Sequence, residues 1–206
     1  MGESCCQNKA KALEALRKKQ RVVLWIVLLI NLVMFGVEFW AGLQAASLSL
    51  TGDSLDMLGD ALVYGSSLYV LGMGTKAQAR SALFKGGIMF LTAIAVFARA
   101  TYQLFTATVP EVSVMSAIGV LALIANLVCL ALLTRHRNDN INMSSVWICS
   151  RNDIIANTSV LIAAALVAWS GTFWPDFAVG MMLTGVFAKS AGTVLSKSWR
   201  EFHQAA

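Results

Sequence analysis

The run VVLWIVLLINLVMFGVEFWAGL, Val22 to Leu43, places one ionisable side chain, Glu38, among 22 residues. An α-helix of about 20 apolar residues crosses the hydrocarbon core of a bilayer. Five further stretches meet the same requirement: about Ser49 to Met73, Ala82 to Phe105, Val112 to Leu133, Met143 to Trp169 and Phe177 to Leu195. They are continuous and rich in Leu, Val, Ala, Met and Gly, whereas barrel strands alternate over roughly 10 residues. Backbone groups in hydrocarbon must bond within their own segment. The chain therefore reads as an all-α integral membrane protein, a six-transmembrane-helix bundle. Composition agrees: of 206 residues, 57% are apolar and 13% charged, against about 25% charged in soluble domains. A soluble fold is excluded.

Three parts follow: an N-terminal arm over 1–21, a six-helix membrane domain over 22–196 and a short tail over 197–206. The first apolar run follows a polar stretch and is too long for a signal-peptide core, so it stays as a helix. Leu13, Glu14, Leu16 and Lys18 fit an amphipathic lead-in at the headgroups. The formal charge of +5 could invite nucleic acid in a soluble protein. Here the positive residues mark one side of a membrane instead. Lys9, Lys11, Arg17, Lys18, Lys19 and Arg21 lie in the arm, Lys76 and Arg80 in the second connection, Arg135 and Arg137 in the fourth, and Lys197 and Arg200 in the tail. The first, third and fifth connections hold none. Both termini are thus expected in the cytoplasm of a multi-pass protein of the cell (inner) membrane. The tail is too short for a folded soluble domain.

Ionisable groups inside a bilayer are costly and are the first functional candidates. The runs hold Glu38, Asp53, Asp56, Asp60, Arg99, Arg151, Asp153 and Lys189, with Lys85 close to the second connection and Asp176 at the mouth of the last run. Asp56 and Asp60 are four apart, as are Cys149 and Asp153, so each pair shares one helix face. Asp60 lies 16 residues before Lys76 and Asp153 lies 16 after Arg137, which puts both about 24 Å from that edge. Four ligands from two facing helices at one depth suit a tetrahedral, zinc-like divalent ion.

The stretch from Ser47 to Asp60 (SLSLTGDSLDMLGD), with Cys149-Ser150-Arg151-Asn152-Asp153 and Asn157 further on, resembles the cation diffusion facilitator family. The resemblance spans about Arg21 to Ser198 and includes Trp174-Pro175-Asp176. It implies six membrane helices, a divalent-metal site of His/Asp-x-x-x-Asp pairs in the second and fifth, exchange of cytoplasmic metal for protons, and a homodimer. Cys149 stands where the family has His or Asp. A long His-rich loop and the family's common cytoplasmic metal-binding domain have no counterpart, so a short form is expected.

Three carboxylates and a thiolate carry four negative charges, more than one divalent ion neutralises. Some must hold protons when the site is empty, and metal displaces them. Linkage alone then couples metal to proton, and rocking of the bundle makes the exchange transport. A thiolate at Cys149 favours Zn²⁺ or Cd²⁺ over Mn²⁺, Mg²⁺ or Ca²⁺. The ion is substrate, and no cofactor is called for.

Around this core the residues leave alternatives. Asp53 either extends the site or lines a watery vestibule; Asn157 either lines the pathway or ties two helices. Cys5 and Cys6, thiols in a reducing compartment, either capture soft metal near the entrance or are incidental. Arg151 is expected to face away from the ligands and pair with Glu38, and Lys189 to snorkel to the edge. Arg99 has no evident partner, Cys129 reads as packing, and His136 and His203 as solvated. A membrane-embedded metal-binding protein or cation channel without proton coupling is the alternative, although a channel needs a continuous polar lining. An enzyme is not expected: no histidine lies in the runs.

Overall fold

The computed structural model describes residues 2–70, 75–135 and 141–204. Six helices occupy them: α1 (Gly2–Gln44), α2 (Leu48–Val70), α3 (Thr75–Thr106), α4 (Val112–Thr134), α5 (Ile141–Ser170) and α6 (Trp174–Gln204). Each contains or closely overlaps one apolar run. Their ends extend past several runs because a helix need not stop where the hydrocarbon does. Among the described residues, four segments are long and apolar enough to cross a membrane: Arg21–Gln44, Gly86–Thr106, Val112–Thr134 and Asp153–Ser170. α2 falls outside that group because it carries Asp53, Asp56 and Asp60. α6 carries Asp176, Lys189, Lys197, Arg200 and Glu201.

Short connections make chain neighbours antiparallel. α1, α3 and α5 each end on a left-handed residue, Ala46 (φ 54), Ala107 (φ 47) and Gly171 (φ 64), the usual way to stop a helix. Ala107 N–H bonds back to Gln103 and Gly171 N–H to Val167, both at 2.8 Å. Glu111 N–H donates to Ala45 C=O at 2.9 Å, joining two of these connections.

α2 is the most connected helix, touching α1, α3, α5 and α6. α1 also packs on α4, α4 on α5, α5 on α6, and α3 on α6. The bundle presents apolar residues outward, with Trp25, Leu29 and Trp40 exposed on α1 and Ile155 on α5. It buries Asn31, Glu38, Asp53, Asn126 and Asn157. In lipid, apolar side chains gain nothing by hiding, so close packing and polar contacts hold helices together. Small residues supply that closeness: Ala93 and Ala100 of α3 and Ala191 of α6 pack with Leu55 and Phe187 in one core cluster. A Cβ on Gly180 would stand 2.6 Å from the Leu48 carbonyl carbon, so α6 crosses the start of α2 almost backbone to backbone.

Candidate metal site

The first turn of α2 leaves four backbone N–H groups without helical partners, and each can be accounted for. Asp176, from α6, accepts from Leu48 N–H at 2.7 Å and Ser49 N–H at 3.0 Å. The Ser47 hydroxyl oxygen accepts from Leu50 N–H at 3.1 Å, and the N–H of Ser47 itself donates to Gly42 C=O at 3.0 Å. The Ser47 and Ser49 hydroxyls also donate to Asp176, each at 2.6 Å. A carboxylate at a helix N-terminus further suits the helix dipole. Gln103 of α3 reaches the same carboxylate at 3.4 Å. The cap of α2 is thus lent by another helix, which fixes where the residues one to three turns further on will stand.

Those residues are Asp53, Asp56 and Asp60. Together with Asp153 of α5 they line one cavity of about 430 Å³, to which α6 contributes Leu183 and Phe187. Gly59 lets α6 approach there, since a Cβ would lie 3.0 Å from the Phe187 ring. Asp60 and Asp153 are largely buried, and Asp56 is partly exposed.

Partners fix the carboxylates. Tyr64, one turn beyond Asp60, donates its hydroxyl to it. Asp56 and Asp153 meet carboxyl to carboxyl, a contact that needs a proton on one of them. Asn157 Nδ2 donates to Asp53 Oδ2 at 2.9 Å, and Asn126 Nδ2 donates to Asn157 Oδ1 at 3.4 Å. Among the described residues, no three His, Cys, Asp or Glu side chains converge closely enough to share one ion. The acids ring the cavity rather than form a finished cage.

Asp56, Asp60 and Asp153 therefore come together as their spacing implies, with Asp53 beside them. Asn157 both bonds Asp53 and ties α5 to α4, so its two readings coexist. Cys149 lies in α5 one turn before Asp153, but its side chain, like those of Cys5, Cys6 and His203, lies outside the described residues, as does His136. The expected Arg151–Glu38 pair does not form. Arg151 is exposed, with its guanidinium 5.7 Å from the Trp147 ring centroid one turn away, because the face opposite Asp153 looks out of the bundle. Glu38 is fully buried, and neither carboxyl oxygen has a hydrogen-bond partner.

Several residues escaped the sequence. Arg99 has a partner after all, the Gly42 carbonyl at 2.7 Å. Tyr64 could have been found, since it follows Asp60 by the same four positions that single out Asp56. Asn126 and the capping role of Asp176 had no local signal, because both act on a helix far away in the chain.

A family model described as the cation efflux transmembrane domain matches residues 24–202. Metal cation efflux system protein CzcD of Cupriavidus metallidurans is 22% identical over 173 residues, covering 78% of this chain and 54% of the relative. Cation efflux system protein CzcD of an Alcaligenes species is 22% identical over 158 residues, covering 71% and 50%. The chain spans about half the length of these relatives. With a match over most of its length and an all-helical membrane bundle beneath it, the chain belongs to the cation efflux, or cation diffusion facilitator, family of transporters rather than to any class of enzyme.

Proposed function

We propose that the protein exports divalent transition-metal cations of the zinc and cadmium type from the cytoplasm in exchange for protons. Asp56, Asp60, Cys149 and Asp153 are its ligands. The observation that carries this reading is the shared cavity, in which carboxylates from α2 and α5 face one another inside a membrane bundle. The Asp56–Asp153 contact supports the coupling: a divalent ion placed between two carboxyls replaces the proton they share, and its departure readmits one. A small approach of α5 to α2 would complete the cage, with the Cys149 thiolate as its soft member. The names of the CzcD relatives agree with metal cation efflux. The Lys and Arg asymmetry supports cytoplasmic termini in the cell membrane, and a homodimer rests on the family resemblance.

The experiment is uptake into reconstituted vesicles under a pH gradient, with Zn²⁺, Cd²⁺ and Mn²⁺ as alternative cargoes. Saturable Zn²⁺ and Cd²⁺ uptake that runs with proton counterflow and vanishes in Asp153→Ala is expected. Normal transport by the folded Asp153→Ala variant would sink the site assignment. Metal movement indifferent to the pH gradient would favour a channel.

A further inference from the structure

Buried polar atoms nearly always have partners. Among the described residues, five buried side-chain oxygens have none: Oε1 of Gln103, Oγ of Ser150, and three that belong to two carboxyls, Oε1 and Oε2 of Glu38 and Oδ1 of Asp53. Both residues are at most 1% exposed. α1 and α2 run antiparallel from the turn between them, with Glu38 six residues before the end of α1 and Asp53 five after the start of α2. The two therefore stand at one level of the bundle. Among the described residues, the charged groups that act on Glu38 are Asp53 and Asp56, both acidic. Arg151 points outward and Arg99 is occupied at Gly42.

Asp53 connects this place to the cavity that Asp56, Asp60 and Asp153 line. Its other oxygen is already held by Asn157, which leaves Oδ1 fixed and free. Two carboxyls with three unsatisfied oxygens, closed off from water, lack a positively charged ligand.

We propose that Glu38 and Asp53 form a second cation site, separate from the Asp56–Asp60–Cys149–Asp153 cage and set between it and the end of the bundle that carries the α1–α2 turn. Its protein donors are all oxygen, and two carboxylates completed by waters suit hard divalent ions. A soft cargo is held more weakly there than by a set that includes a thiolate. That order of strengths lets an ion step off the cage and leave, as multi-site pathways require. The cargo role rests on the proposed function; the existence of the site does not.

The test uses the purified full chain in detergent with Mn²⁺ as probe, counting bound ions by loss of the aqueous Mn²⁺ resonance. Wild type is expected to bind one ion per chain tightly at the all-oxygen site and a second more weakly at the thiolate-bearing cage; Glu38→Gln should lose the tight ion, Asp153→Asn the weak one, and the double variant both. A Glu38→Gln isotherm superimposable on wild type overturns the second site, and so does loss of both ions in that variant, which would mean one shared site. Wild-type binding by Asp153→Asn alongside reduced binding by Glu38→Gln would sink the cage and leave the second site standing. If Glu38→Gln does not fold, Glu38→Asp is read in its place. Weakening of one of two ions by about tenfold supports the site, and an unchanged isotherm overturns it.

Discussion

The Ser47 hydroxyl donates to the Asp176 carboxylate at 2.6 Å, joining the entry of α2 to the entry of α6 across 129 positions of sequence. Asp176→Ala strips this bond together with the acceptor for Leu48 N–H, Ser49 N–H and the Ser49 hydroxyl. Buried donors left without partners cost about 1–3 kcal/mol each before relaxation. The expected net loss is about 2–4 kcal/mol, read as a lower melting temperature in detergent. Asp176→Asn keeps an acceptor and loses the charge, and should fall between the two.

Gly180→Ala tests the close crossing of α6 over α2. The added methyl would meet Leu48 backbone at 2.6 Å, so the helices must separate or the variant must strain. A destabilisation of about 1–3 kcal/mol is expected. Gly185→Ala, where a Cβ meets nothing within 4 Å, serves as the matched control and should melt like wild type.

Tyr64→Phe removes the hydroxyl that orients Asp60 while keeping the ring in its core cluster with Leu24, Val27 and Leu68. Partners of ligating carboxylates typically contribute 10–100-fold to metal affinity. Half-maximal transport should need about tenfold more Zn²⁺, with little change in melting temperature. Unchanged metal dependence would mean that Asp60 does not ligate in the transport cycle.

Cys149→Asp should move preference toward oxygen-loving ions, raising Mn²⁺ transport relative to Cd²⁺. The ratio of the two uptake rates is the readout, because it cancels differences in protein yield. A ratio equal to that of wild type would remove the thiolate from the ligand set.

Metal binding should release protons. A carboxyl–carboxyl contact such as Asp56–Asp153 holds a proton that a divalent ion expels. Zn²⁺ added to weakly buffered protein should therefore acidify the medium, and apparent affinity should fall as pH falls. Asp56→Asn and Asp153→Asn should both shrink the proton release, and full release from either would contradict the shared proton.

The six helices could be read from the chain because each crossing needs a long apolar run, a requirement local to one segment. Asp56, Asp60 and Asp153 were legible for a related reason: a spacing of four places residues on one face whatever the neighbours are. What a face turns toward is a matter of packing between helices. Arg151 shows the limit. Its direction away from Asp153 followed from helix geometry, but its partnership with Glu38 required α1 to stand behind that face, and Arg151 instead lies exposed over the Trp147 ring. Asp176, Arg99 and Asn126 act on atoms of distant helices, and no spacing within α3, α4 or α6 encodes those meetings.

The bonds Ser47–Asp176, Gln103–Ala46 and Glu111–Ala45 all sit at one end of the molecule, and this sets a lever arm. Asp60 is 13 residues along α2 from Ser47, about 20 Å from that anchorage. A tilt of about 6° about the anchored end displaces the Asp60 carboxylate by about 2 Å on that arm, the difference between a metal–oxygen bond and no bond. Asp53, closer to the anchor, moves less than half as far for the same angle.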